Sequence, residues 1–151
     1  MKLFIASDHA GFELKEHLVH YLEENGLEVV DKGPHQFTEG DDYPDWISLV
    51  AEEVQVNADA LGIVIGLSGQ GEAIVANKFN GIRAGVYYGG PIEIPQLLRE
   101  HNNANVLSLG AKFLDKSQAE RAVDVFIEAQ FTKEERHVRR IKKINNIEHT
   151  R

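Results

Sequence analysis

The stretch Ala60-Leu61-Gly62-Ile63-Val64-Ile65-Gly66-Leu67-Ser68-Gly69-Gln70-Gly71-Glu72 decides the fold. Its first six residues are apolar without alternation, the mark of a strand covered on both faces and so of a parallel sheet. The run then breaks into glycines and polar side chains. Four further short runs, residues 3–6, 28–31, 83–87 and 105–109, are similarly rich in Val, Ile, Leu and Ala.

Longer amphipathic segments separate these runs. Phe12, Leu14, Leu18, Val19 and Leu22 form one helical stripe, which stops at Asn25-Gly26, a suitable C-terminal cap. Trp46, Leu49, Val50 and Val54 form a second stripe, and Ala119, Ala122, Val123, Phe126 and Ile127 a third. Strands alternating with helices predict an open α/β sheet with right-handed crossovers. Residues 132–148 cannot extend that sheet. They predict a further helix, strongly basic on one side and carrying Val138, Ile141, Ile144 and Ile147, suited to packing on a neighbour such as a second subunit.

At 151 residues the chain suits one domain, 1–151, with no linker, repeat or low-complexity tract. A formal charge of −8 argues against a nucleic-acid binder, which needs basic groups to neutralise phosphates. Without cysteine there can be no disulfide, thiolate metal site or cysteine nucleophile. The seven histidines are scattered, so no metal is expected. The apolar start from Met1 to Ala6 is too short for a signal peptide, and nothing approaches the roughly 18 apolar residues of a membrane span. A cytoplasmic protein is expected.

Ligands of an open parallel sheet bind at the carboxyl ends of its strands. Three polar or glycine-rich turns follow strands here: Ser7-Asp8-His9-Ala10-Gly11, the loop from Gly66 to Glu72, and Tyr88-Gly89-Gly90-Pro91. In the Gly66–Glu72 loop, glycines let the backbone approach a ligand, and a helix starting near Gly69 would aim free N–H groups at it. Such a nest holds a phosphate or the oxyanion of an enediolate. Phosphate would repel Glu72, whereas an oxyanion leaves that carboxylate free to act as a base. The plainer alternative is a first-turn acid favoured by the helix dipole.

A phosphate then needs another home. Arg136, Arg139, Arg140 and Lys143 share one helical face, beside His137, and arginine's planar fork suits phosphate oxygens. The same pattern also fits a solvated basic face. Asp8-His9 reads equally as an acid/base pair or as a turn and cap, and His101-Asn102 as reactive groups or as a dipole-favoured helix end.

Together these segments resemble the family of type B ribose-5-phosphate isomerases, which includes the galactose-6-phosphate isomerase subunits. The matches are Ser7-Asp8-His9-Ala10-Gly11-Phe12, Asp42-Tyr43-Pro44-Asp45, Ser68-Gly69-Gln70-Gly71-Glu72, Ala76-Asn77-Lys78 and Gly81-Ile82-Arg83-Ala84. They continue through Arg99-Glu100-His101-Asn102, Asn105-Val106-Leu107, Arg136-His137 and Arg139-Arg140, in order and over nearly the whole chain. The resemblance implies a Rossmann-like three-layer fold with a five-stranded parallel sheet and a projecting C-terminal helix. It also implies a homodimer or homotetramer, with active sites built from two subunits.

Many family members place a cysteine base where this chain has Gly66. A second branch uses a glutamate at the position of Glu72, and this chain is similar to that branch. Carried over residue by residue, Glu72 is the implied base and His101 the group that opens the sugar ring, with Asp8 assisting proton movement. Ser68 and the N–H groups of Gly69, Gln70 and Gly71 are the implied enediolate stabilisers. His9, Lys112, Arg136 and Arg140 are the implied phosphate ligands, while Asn102 holds a sugar hydroxyl and Tyr43 lines the site. No cofactor is implied.

Three departures bear on the sugar. Leu67 stands where the family has a glycine, Lys112 where it often has an arginine, and residues 88–95 form an altered loop. The expected activity is interconversion of ribose 5-phosphate and ribulose 5-phosphate through a cis-enediol. Alternatives are isomerisation of a six-carbon aldose 6-phosphate or an unusual pentose phosphate, and a non-catalytic sugar-phosphate-binding module. A nucleotide oxidoreductase lacks its Gly-x-Gly-x-x-Gly fingerprint.

Overall fold

Odd and even residues of the same strand enter two different cores. The computed structural model describes residues 1–149, so the last two residues of the expected 1–151 domain lie outside the described residues. The chain runs β1 (Lys2–Ser7), α1 (Phe12–Glu24), β2 (Glu28–Asp31), α2 (Tyr43–Val56), β3 (Leu61–Gly66) and α3 (Gln70–Ala76). It continues through β4 (Ala84–Tyr87), α4 (Glu93–Asn102), β5 (Val106–Gly110), α5 (Lys116–Glu128) and α6 (Glu135–Glu148). All strand pairs are parallel, in the order β2-β1-β3-β5-β4, with Leu3 beside Leu61 and Ile63 beside Leu107.

On one face Leu3, Ile5, Ile63, Ile65, Leu107 and Leu109 pack against Leu14, Leu18 and Leu22 of α1 and Ala122 and Phe126 of α5. On the other, Phe4, Ala6, Val64 and Val106 meet Ile47, Val50 and Val54 of α2 and Ala76 of α3. The unbroken apolar runs follow from this double coverage. The result is the expected three-layer, Rossmann-like fold.

Local signals set the ends of the helices. Asn25 caps α1 and Gly26 turns away at φ +79, as the Asn-Gly pair predicts. Asp115 and Gln118 form a reciprocal capping box on α5. Other limits differ from the sequence reading. Strand β1 gains Lys2 and Ser7, β3 and β5 sit one residue later than expected, and β4 begins at Ala84. The buried stripe of α2 is Ile47, Val50, Ala51 and Val54, with Trp46 and Leu49 only half-buried. The helix expected over 132–148 begins at Glu135. Thr132 is drawn off by two hydrogen bonds to the Glu100 carbonyl, and Lys133 turns to φ +57, so neither residue can join a helix.

Lys15 is a finding of the structure, since its side chain is fully buried. Its ammonium lies 2.5 Å from Asp31 and 2.6 Å from Glu16, tying α1 to the end of β2. Asp31 also accepts the Gly33 N–H, and the Gly33 carbonyl accepts the N–H of Ser7. Removing one partner of a buried pair costs more than replacing the pair, because the survivor stays charged and dry. Asp31 keeps some solvent, Lys15 none. Asp31→Asn leaves the buried ammonium with only the exposed Glu16 carboxylate, so it is expected to destabilise by about 1–3 kcal/mol and Lys15→Met by less, measured by denaturant unfolding.

Candidate active site

The end of β3 carries a glycine whose side-chain space is already filled. A Cβ built on Gly66 would overlap the Glu72 carboxylate, which folds back from the first turn of α3 over the strand end. Glu72 is only 4 % exposed. Gly69 makes this possible: at φ +77 it starts the helix in a left-handed conformation, packed so closely on Leu109 and Gly110 that a Cβ would clash with their backbone. Ser108 of β5 pins the same loop by donating a 2.5 Å hydrogen bond to the Gly69 carbonyl. The Tyr43 ring, at the start of α2, lies against Gly71.

Asp8, at the end of β1, joins this group. It is buried, and its Oδ1 accepts the Gly11 N–H at 3.0 Å, so the turn role is real. Its charge still reaches Glu72. Burial raises the Glu72 carboxyl above its ordinary 4.5, and Asp8 raises it further. The N–H groups of Glu72 and Gly69 oppose the rise. Ser68 is half-buried and its Oγ accepts weakly from Gln70 at 3.4 Å, while Lys112 is exposed on the turn after β5, its N–H bonded to the Leu67 carbonyl. His9 completes the carboxyl-edge group. Asp8, His9, Tyr43, Ser68, Gly69, Gln70, Gly71, Glu72 and Lys112 thus all belong to one edge of the sheet.

The remaining candidates do not. Helix α4 returns from the end of β4 to the start of β5, so His101 and Asn102 in its last turn lie at the amino edge. Arg83, just ahead of β4, donates to the Asn102 and Asn103 carbonyls there. The His101 ring stacks on His137 of α6, with centroids 4.3 Å apart and planes at 16°. Burial and then the neighbouring His101 hold the His137 ring below its ordinary pKa. Arg136 and Arg140 are exposed on the same helix, Arg136 paired with Glu134 and Arg139 with Glu135. Strands of five or six residues separate the two edges by about 16–20 Å. One chain therefore holds two half-sets of candidate residues rather than one site.

A profile described as ribose/galactose isomerase matches residues 3–144. The chain belongs to this family. Ribose-5-phosphate isomerase B of Mycolicibacterium paratuberculosis is 39% identical over 150 residues, covering 99% of this chain and 93% of that relative. The crystal structure of ribose-5-phosphate isomerase B from Mycoplasma genitalium with bound ribulose-5-phosphate is 42% identical, with a TM-score of 0.93 over 98% of this chain and 96% of that one. Ribose-5-phosphate isomerase B of Clostridium thermocellum gives a TM-score of 0.93 at 41% identity, covering 99% of both chains.

Within this member of the isomerase family, the structure adds residues that sequence reasoning missed. Asp41 accepts from His9 and Trp46, and Ser108 holds the Gly66–Glu72 loop. Ser108 sits in an apolar strand run with no neighbouring signal; Asp41 precedes the Asp42-Tyr43-Pro44-Asp45 motif and could have been found from it. Among the described residues, no three His, Asp or Glu side chains converge as metal ligands, and no helix is long and apolar enough to cross a membrane.

The raised Glu72 carboxyl can be tested directly. Asp8→Asn removes a like charge and Gly66→Ala expels the carboxylate toward water, so both should lower the Glu72 titration toward its ordinary value. Carboxyl-carbon NMR across the acid range reads it, and an unmoved Glu72 in both variants would contradict the packing described.

Proposed function

We propose that the chain is an aldose–ketose isomerase that interconverts ribose 5-phosphate and ribulose 5-phosphate, working as a homodimer with each site shared between two subunits. The observation that carries this is the Glu72 carboxylate, buried over Gly66 and poised by Asp8 to exchange a proton nearer neutral pH than an ordinary carboxylate. A surface acid at a helix start would be solvated. This one is packed into the strand end.

His101 of one subunit assists opening of the sugar ring, with Asp8 of the other exchanging protons at the ring and hydroxyl oxygens. Glu72 then removes the proton from C2 and returns it to C1, passing through a cis-enediol. The developing enediolate oxygen is stabilised by Ser68 and the N–H groups of residues 69–71. The Gly69 N–H, which faces the ionised Glu72, is freed for that oxyanion as the carboxylate takes up the proton. The phosphate is held by Arg136, Arg140, His9 and Lys112. Asn102 holds a sugar hydroxyl, and Tyr43 closes the wall beside Gly71. Balance is complete without a cofactor, since one proton passes from C2 to C1 and another from the C2 hydroxyl to the C1 oxygen.

The opposite-edge placement of His101 and Glu72 supports the dimer. So does a groove of about 760 Å³ beside α3 and α6, where Ile74, Ile144 and Ile147 stand exposed. A phosphorylated, membrane-impermeant substrate agrees with a cytoplasmic location. No observation favours a six-carbon sugar.

Purified protein and its Glu72→Gln variant, assayed on ribose 5-phosphate without added metal or nucleotide, test the assignment. Loss of turnover by roughly 10²–10⁴-fold with sugar phosphate still bound is expected. The acid limb of kcat/KM should lie above 4.5, because activity needs the ionised base and falls as pH drops through its raised pKa in the free enzyme. Equal turnover by both proteins would remove Glu72 from the mechanism.

A further inference from the structure

The geometry points to Asp41 as a positioning residue for His9, holding the imidazole by Nδ1 so that Nε2 is the nitrogen presented to the substrate phosphate. This rests on the isomerase assignment above. Asp41 lies across the turn from His9, 32 residues away in sequence, and its Oδ1 accepts the His9 backbone N–H at 2.8 Å while standing 2.7 Å from Nδ1. Its Oδ2 accepts the Trp46 indole N–H at 2.8 Å, which fixes the carboxylate itself to α2. The Asp41 side chain is 8% exposed and that of His9 33%, so the anchor is buried and the ring it holds reaches solvent. Phe37 meets the same ring edge-on at 6.4 Å. Backbone, Nδ1 and ring edge are thereby constrained together.

The consequence is chemical. With the Nδ1 hydrogen donated to Asp41, the neutral ring offers only a lone pair at Nε2, which repels a phosphate. A second proton lands on Nε2 and turns that lone pair into a charged donor. The charged groups facing the ring are Asp41 and Glu39, from the segment ahead of α2, and Asp8 on its own turn; all are carboxylates. They favour the imidazolium, the hydrogen bond to Asp41 most, and raise the His9 pKa. Burial works to raise the Asp41 carboxyl, yet the hydrogen bonds from His9 and Trp46 outweigh it and keep Asp41 ionised. Because the folded pKa of His9 is raised, its phosphate donor is present at low pH and is lost as pH rises through that raised value. Without the Asp41 charge the loss must come at lower pH.

Asp41→Asn keeps the shape and removes the charge. Imidazole nitrogen NMR should show the His9 pKa lower in the variant than in the unaltered protein. The KM for ribose 5-phosphate and the Kd for inorganic phosphate should both rise about tenfold near neutral pH, with kcat changed by less than about twofold. If Asp41 acts through His9, the same change in a His9→Asn background should add less than about twofold. In the unaltered protein, neutral His9 should carry its hydrogen on Nδ1. An Nε2-protonated neutral ring would overturn the proposal however the variant folds. So would an unmoved His9 titration, a fall in kcat at constant KM, or a full effect of Asp41→Asn without His9. The titration and phosphate affinity are read without turnover, so an inactive wild-type chain would defeat the isomerase assignment and leave these readings decisive for Asp41.

Discussion

Because all five strands point the same way, every strand-to-helix turn falls on one edge of the sheet and every helix-to-strand return falls on the other. That constraint divides the chemistry. The buried carboxyl pair of Asp8 and Glu72 is built at the carboxyl edge, from turns after β1 and β3, the two neighbouring strands where the chain reverses direction across the sheet. His101 rides a returning helix and ends at the amino edge. Neither half moves without breaking the parallel arrangement, which is why the proposed function brings a second chain's amino edge to the first chain's carboxyl edge. In that proposal the basic α6 helix and the stacked His101–His137 pair serve a neighbour's site.

Within the carboxyl-edge half, a single missing side chain sets where the Glu72 carboxylate lies. Gly66 leaves room for the Glu72 carboxylate to lie on the strand end, out of water and near Asp8. Burial and a like charge work in the same direction, so the acid is held more basic than it would be on the surface. Ser108, Gly69 and the packed backbone of Leu109 and Gly110 keep the loop from relaxing. The N–H groups of Glu72 and Gly69 that face the ionised carboxylate limit the rise.

Much of this was legible in the sequence because double coverage of a sheet leaves unbroken apolar runs. The five runs and the glycine loop marked the strands and their carboxyl edge, with Asn25-Gly26 supplying a local end, whereas the capping box of Asp115 and Gln118 emerged with the structure. The edges of elements were less legible. Helix α6 starts late because the Glu100 carbonyl captures Thr132, a tertiary contact with no local signal. Lys15 interrupts an apolar stripe and is buried only because Asp31 waits at the end of β2. In the site, residue type and spacing made Glu72 either a base or a first-turn acid, and the family resemblance favoured the base. Its burial over Gly66, the anchoring of His9 by Asp41, and the separation of His101 from Glu72 depend on three-dimensional placement that spacing does not encode.

Co-refolding two impaired variants tests the shared site most directly. Glu72→Gln and His101→Asn chains would each be nearly inactive alone, because every site in either homodimer lacks one essential group. Mixed in equal amounts, half the dimers would carry both chains, each with one intact site, restoring about a quarter of wild-type turnover on ribose 5-phosphate. No recovery in a mixture shown to contain heterodimers would contradict a site divided between two chains.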